Sequence, residues 1–334
     1  MDDVKNIVTA IRKGDIKPVY FLMGEEPYFI DQVSDYIEDN VLREDEKGFN
    51  QMVLYGRDVT VDDIVGNAKR FPMMAERQVI IVKEAQDLSR TIEQLTDYAE
   101  NPQPSTVLVI CYKYKKLDKR KKLHKAVAKN GVIYESKKLY ENQVASWIKE
   151  TLHARNYQIA PKASLMLVEF LGTDLGKIDN ELQKLRLICP EGATITPEII
   201  EENIGISKDF NNFELRMAIG MRDDLKAHRI INYFSQNPKD NPMVMTVSLL
   251  FSFFSQLQQY HALGDKSKSN VAKVLRVNPY FVSDYSTAAK NYSMKHVSRA
   301  ISYLRDADVK SKGVGAANVA QGDLLKELLV KVMR

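Results

Sequence analysis

Little in this chain can carry thiol or metal chemistry: its 334 residues hold two cysteines, five histidines and one tryptophan. Cys111 and Cys189 are far apart and neither belongs to a CxxC pair, which indicates neither a disulfide framework nor a zinc site. The histidines, at positions 124, 153, 228, 261 and 296, show no HExxH spacing. No Ser/His/Asp or Cys/His arrangement stands out, so each histidine reads as a structural or surface residue. No metal or other cofactor is expected. Charge of one sign is also lacking. The 48 Lys and Arg against 44 Asp and Glu leave a net charge of +4, too small to announce a nucleic-acid binder unless the charges cluster. The most apolar run, residues 243–257, is too short to span a bilayer, is interrupted by Thr246, Ser248, Ser252 and Ser255, and reads as a buried helix. Met1-Asp2-Asp3-Val4-Lys5 carries acids where a secretory signal carries a basic segment, and no long apolar stretch follows. The expectation is a cytoplasmic protein with no membrane partner.

What the chain does have is β/α alternation, in a length that calls for two or three domains. Apolar runs at 19–23, 51–55, 78–82, 106–112 and 131–135 read as five strands, and the patterns at 27–41, 61–70, 91–100 and 117–129 read as helices. Such alternation predicts a mostly parallel sheet covered on both faces. From residue 140 the strands are expected to stop. Short amphipathic helices follow at 141–155, 161–171, 174–188 and 197–203, with Pro161 and Pro197 at helix starts, where a missing N–H is harmless. After a polar stretch at 207–212, which reads as a linker, helical patterns cover 213–220, 224–235, 242–263, 270–277, 279–291, 295–311 and 319–333, broken by a loop at 312–317. Leu324, Leu325, Leu328, Leu329 and Val332 recur on one helical face. The predicted architecture is an α/β parallel-sheet domain (1–140), a small helical domain (141–209) and an all-α C-terminal domain (210–334).

A parallel sheet with a helical lid invites the reading of a nucleotide hydrolase, yet the groups such a site needs are missing. A phosphate cradle requires glycines whose N–H groups turn onto the phosphates, a lysine, and a Ser or Thr for magnesium. The first strand runs instead into Gly24-Glu25-Glu26-Pro27, whose carboxylates would repel a triphosphate. The nearest look-alike, Gly172-Thr-Asp-Leu-Gly176-Lys177, is one residue short between its glycines, has Ile178 where Ser or Thr is required, and reads as a turn between helices. The third strand ends in Lys83-Glu84, a cation where a magnesium-binding Asp would stand.

Residues 69–83, KRFPMMAERQVIIVK, are the most informative segment. Pro72 disfavours helix at Phe71, so the preceding helix should stop there and leave Met73 and Met74 on a surface turn before a buried strand. Methionine is flexible and polarizable, and suits a side chain that must enter another protein's pocket. The plain alternative is that Phe71, Met73 and Met74 close the bottom of the domain's own core. A second cluster, Lys113, Lys115, Lys116, Lys119, Arg120, Lys121 and Lys122, with Lys125 beyond, interleaves with Tyr112 and Tyr114 and could track phosphates. Its plain alternative is a solvated helix face.

Five segments in order resemble one family. They are Val19-Tyr-Phe-Leu-Met-Gly-Glu-Glu-Pro-Tyr-Phe-Ile30, Phe71-Pro-Met-Met-Ala-Glu-Arg77, Lys116-Leu-Asp-Lys-Arg-Lys-Lys-Leu123, Gly172-Thr-Asp-Leu with Asn180-Glu-Leu-Gln-Lys-Leu185, and Leu304-Arg-Asp-Ala-Asp-Val-Lys-Ser-Lys-Gly313. Over essentially its whole length the chain resembles the delta subunit of the bacterial DNA polymerase III clamp loader. That resemblance implies an AAA+-like module without a functional nucleotide site, a small helical lid, and a helical collar that assembles with other subunits. It implies no intrinsic ATPase, though as part of the holoenzyme such a subunit is grouped with DNA-directed DNA polymerases. The implied partners are the ring-shaped sliding clamp (beta), the gamma/tau and delta prime subunits of the loader, and primer–template DNA. The implied clamp-binding residues are Phe71, Pro72, Met73 and Met74, with methionine where many members carry Leu or Phe. Lys113, Lys115, Lys116, Lys119, Arg120, Lys121 and Lys122 are the candidates for DNA contact. Two rivals remain at the level of residues: a degenerate AAA+ NTPase and a free-standing nucleic-acid-binding protein.

Overall fold

The structure is a computed structural model that describes residues 2–315 and 318–334. By internal packing the chain divides into two compact units, Met1–Leu139 and Tyr140–Arg334.

In the first unit, β1 (Val19–Gly24), β2 (Gln51–Tyr55), β3 (Gln78–Lys83), β4 (Thr106–Lys113) and β5 (Val132–Ser136) form one parallel sheet in the order β2-β3-β4-β1-β5. All of β1, the four central residues of β3 and all but the last residue of β4 are buried, which is why these strands are unbroken apolar runs rather than alternating ones. In the central register Phe21 faces Ile110 and Ile80 faces Leu108. Strand order reverses between β1 and β4, and in open parallel sheets the crevice at the carboxyl ends of such strands is the usual ligand position.

Helix α2 (Pro27–Asn40) begins with proline in its first turn, as expected. Helix α4 (Val61–Ala68) is opened by a capping box, Thr60 accepting from the Asp63 N–H while the Asp63 carboxylate accepts from the Thr60 N–H. It ends two residues earlier than predicted. Three other expectations need correction. The segment 117–121 is not helical: the Asp118 carboxylate accepts from the Arg120 N–H at 3.0 Å and pairs with its guanidinium, so α6 starts only at Lys122 (Lys122–Asn130). Two helices lie outside the predicted set, α1 (Asp2–Arg12) and α3 (Glu44–Asn50). The stretch 91–100 is a 3-10 turn (Ile92–Leu95) followed by a short helix, α5 (Thr96–Glu100).

The second unit is helical, but strands do not stop at 140. Gln158–Ile159 and Thr194–Ile195 pair in parallel as β6 and β7, because the turns at Asn156 and at Gly192 present two short extended pieces side by side. Around them lie α7 (Glu141–His153), α8 (Pro161–Leu171), α9 (Leu175–Ile188) and α10 (Pro197–Ile204). The look-alike glycine segment is a turn, as its sequence predicts: Gly172, at φ +71°, ends α8, and the Asp174 carboxylate caps α9 by accepting from the Lys177 N–H. Then come α11 (Asn212–Met221), α12 (Asp224–Gln236), α13 (Met243–Ala262), α14 (Lys268–Leu275), α15 (Val282–Asn291), α16 (Met294–Ser311) and α17 (Gln321–Met333). The expected linker is anchored rather than free, since Phe210 stacks on Tyr233 with ring centroids 5.0 Å apart. The expected loop at 312–317 is described only as far as Gly315; Ala316 and Ala317 lie outside the described residues. The leucine stripe of α17 is buried together with Phe234, Phe254 and Tyr292. Glu214 of α11 is buried between Lys162 of α8, at 2.7 Å, and Lys226 of α12. Among the described residues no helix is long and apolar enough to cross a membrane.

Candidate functional site

The tip between α4 and β3 does not belong to the core. Phe71 is 80% exposed, Met73 60% and Met74 98%, while Pro72 is half-buried. Both feet of this loop are fastened. At the strand side, the Gln78 carboxamide donates to the Arg70 carbonyl at 2.6 Å and to Thr106 Oγ1 at 2.8 Å, closing the end of α4 onto the start of β3 and β4. At the crown, Asn50 from the end of α3 bonds the backbone of Met73 in both directions, and Met74 takes φ +55°. Left-handed backbone is uncommon for a non-glycine residue and here turns the chain so that the two methionine side chains leave the surface. Phe49, beside Asn50 on α3, is another exposed apolar side chain (78%). Sequence reasoning misses Asn50 and Phe49, because it does not predict α3. The run of acids Glu44, Asp45 and Glu46 in its first turn is the signal that could have found it.

The carboxyl ends of the strands lie at the other end of the sheet, and there the positions of a phosphate loop are filled by the protein itself. Glu26 is 6% exposed and its carboxylate accepts from the Tyr28 N–H, so the N-terminus of α2 already holds an anion. Gly24, at φ +127°, passes so close to β5 that a Cβ would sit 2.2 Å from the Ser136 carbonyl oxygen. The loop after β4 closes over it through a 2.7 Å bond from the Tyr114 N–H to the Gly24 carbonyl. Lys83 is paired with Glu38 at 3.1 Å and with Asp35 at 3.4 Å. Burial alone would lower its pKa, but the two carboxylates together raise it above the ordinary lysine value, so it stays charged where a magnesium ligand would be needed.

The basic cluster is not one uncompensated surface. Lys113 is mostly buried between Asp31 at 2.9 Å and Glu84 at 2.8 Å. Desolvation opposes its charge, yet these partners hold its proton more tightly than usual. Lys116 bridges Glu25 and Glu135, Lys119 lies 3.9 Å from Glu135, Arg120 pairs with Asp118, and Lys121 lies 3.6 Å from Glu93. Lys115 donates to Ser89 Oγ at 2.7 Å. Lys122 is exposed and, like Lys125, has no carboxylate partner among the described residues.

This architecture matches known proteins along most of its length. The family model described as DNA polymerase III, delta subunit matches residues 20–137, and that of the DNA polymerase III delta subunit, C-terminal domain, matches residues 209–327. The chain is 27% identical to DNA polymerase III subunit delta of Bacillus subtilis, over 92% of each sequence. It is also similar to a solved structure, the Bacillus subtilis DNA clamp loader delta protein, with 25% identity, 99% of each chain covered and a TM-score of 0.57. With its parallel-sheet α/β module followed by helical segments, the chain belongs to the DNA polymerase III delta-subunit family of clamp-loader proteins.

Proposed function

We propose that this subunit binds the sliding clamp through Phe71, Pro72, Met73 and Met74 and helps to open the ring, without performing chemistry itself. The observation that carries this reading is the exposed methionine pair on a loop fastened at both feet. An apolar pair left in water by its own domain gains on entering a partner's pocket, by about 1.5–3 kcal/mol per side chain fully buried. Opening follows if the tip binds an opened or strained clamp more tightly than a closed one, because a ligand shifts an equilibrium only by its differential affinity.

Glu26 at the start of α2 and Lys83 at the end of β3 support a module that neither binds nor hydrolyses ATP, so the energy-consuming step falls to sibling subunits of the gamma/tau type. Residues 141–209 would serve as lid and 210–334 as collar, the latter meeting gamma/tau and delta prime. Primer–template DNA is a secondary partner, and among the basic residues Lys122, with its charge uncompensated, is the best placed for a phosphate. A replication subunit of this kind works in the cytoplasm.

The test is direct binding of the purified chain to the clamp of its own organism, in parallel with Met73→Ala/Met74→Ala. Capture of the clamp by the parent chain and at least a hundredfold loss in the double variant are expected. Equal binding by both proteins would sink the assignment of the tip.

A further inference from the structure

The loop that carries Met73 and Met74 has a problem that its own sequence does not solve. Exposed apolar side chains bring no packing to hold the backbone beneath them, and a non-glycine residue at φ +55° persists only where its surroundings over-determine it. Among the described residues, one side chain from outside the loop bonds the crown of the turn. Asn50, the last residue of α3, is 5% exposed and uses its whole carboxamide there. Its Oδ1 accepts from the Met73 N–H at 2.6 Å, its Nδ2 donates to the Met73 carbonyl at 3.0 Å, and the second Nδ2 proton goes to the Glu46 carbonyl at 3.1 Å. Two opposed bonds to one residue's backbone imitate a rung of sheet pairing and fix both the position and the rotation of that peptide. The third bond ties the clip back to Glu46 in the first turn of α3, and α3 leads without a break into β2. The crown is thus referred to the rigid sheet through a residue more than twenty positions away in sequence.

We propose that Asn50 is a positioning residue for clamp binding, holding the backbone at Met73 so that the methionine pair is presented ready-formed. A loop that must order itself on binding loses affinity to that ordering, whereas one held in its bound shape does not. Only a carboxamide of this length supplies an acceptor and a donor to the same backbone residue. The substitution Asn50→Asp would keep the acceptor but set a carboxylate against the Met73 carbonyl, and Asn50→Gln would carry the amide too far. The proposal rests on the tip being the clamp contact, and the experiment separates the two.

Clamp affinity, thermal melting and amide hydrogen exchange at residues 70–77 would be measured for the parent chain, N50A, N50D and M73A/M74A. For N50A the expected result is a clamp affinity roughly tenfold weaker, within the cost of ordering a short loop, and faster exchange across the tip. For N50D an intermediate loss is expected, with the Met73 amide still protected. If M73A/M74A binds as the parent does, the tip assignment fails. If M73A/M74A loses binding while N50A binds and exchanges as the parent does, the tip stands and the positioning role is overturned. Should N50A fail to fold, the parent chain alone decides: its Met73 amide must be protected despite the exposed side chain, and exchange at the rate of a free peptide would overturn the clip.

Discussion

Met74 and Lys83 stand at opposite ends of β3, Met74 on the loop that enters the strand and Lys83 as its final residue. Between them Val79–Val82 are buried and paired on both sides, so the strand is a rigid spacer between an apolar protrusion and the ion-paired Lys83. The surface proposed for the clamp and the surface at the carboxyl ends of the strands therefore share a strand but no residue, and one can be altered without the other.

Changing Met74 to Gly should separate stability from binding. Left-handed backbone costs a residue with a Cβ about 1 kcal/mol, and glycine removes that strain while giving back a similar amount in unfolded-chain entropy. The melting temperature is expected to stay within a degree or two while clamp affinity drops at least tenfold, read by calorimetry and surface binding. A sharp fall in melting temperature would return Met74 to a structural role.

No saturable ATP binding is expected for the isolated chain in titration calorimetry up to millimolar nucleotide. The N-terminus of α2 is capped by Glu26 and the end of β3 carries the Lys83–Glu38 pair, so a triphosphate would meet carboxylates instead of free N–H groups and a metal ligand. Micromolar binding with magnesium would contradict this reading.

The basic residues should split by stability and by salt dependence. Lys113→Ala strands Asp31 and Glu84 and is expected to cost about 1–2 kcal/mol, the full buried-pair penalty being reduced because both carboxylates are more than a third exposed. Lys122→Ala should be neutral in denaturant unfolding. In the assembled loader, Lys122→Glu is expected to lower the slope of log affinity for primer–template DNA against log salt by about one, the release expected per phosphate contact. An unchanged slope would mark Lys122 as part of a solvated helix face.

Glu214 should govern part of the acid limb of stability. Burial would raise its pKa, but Lys162 and Lys226 more than offset this and bring it below the ordinary glutamate value of 4.5. A folded pKa below the unfolded one gives stability that is complete above about pH 4.5 and is lost as pH falls through the folded value. Glu214→Gln is therefore expected to cost about 1–2 kcal/mol at pH 7, less than a fully buried pair because both lysines are more than a third exposed. The variant should also flatten the fall in stability below pH 4.5, followed by urea unfolding at a series of pH values.

The sequence by itself determined the parallel sheet and the departure of its first loop from a phosphate-binding pattern. Short apolar runs alternating with helical patterns called for a mostly parallel sheet, and the Gly24-Glu25-Glu26-Pro27 loop lacks the lysine and the Ser or Thr of a phosphate cradle. Pro72 marked the end of α4 and five ordered segments pointed to the family, while whether the methionines protrude or close the core stayed open until the fold showed them exposed. What depended on long-range contact was not legible in this way. The basic run looked like one surface because its residues are neighbours in sequence; the sheet brings Asp31, Glu84, Glu135 and Glu93 to them from four other segments and neutralises most of it. The β6–β7 pair escaped notice because two-residue strands carry no periodicity, and exist only because two turns lie side by side. Asn50 escaped for the same reason in sharper form: nothing local distinguishes it from any polar residue near a strand, and its meaning arises only when folding sets its carboxamide against the backbone of Met73.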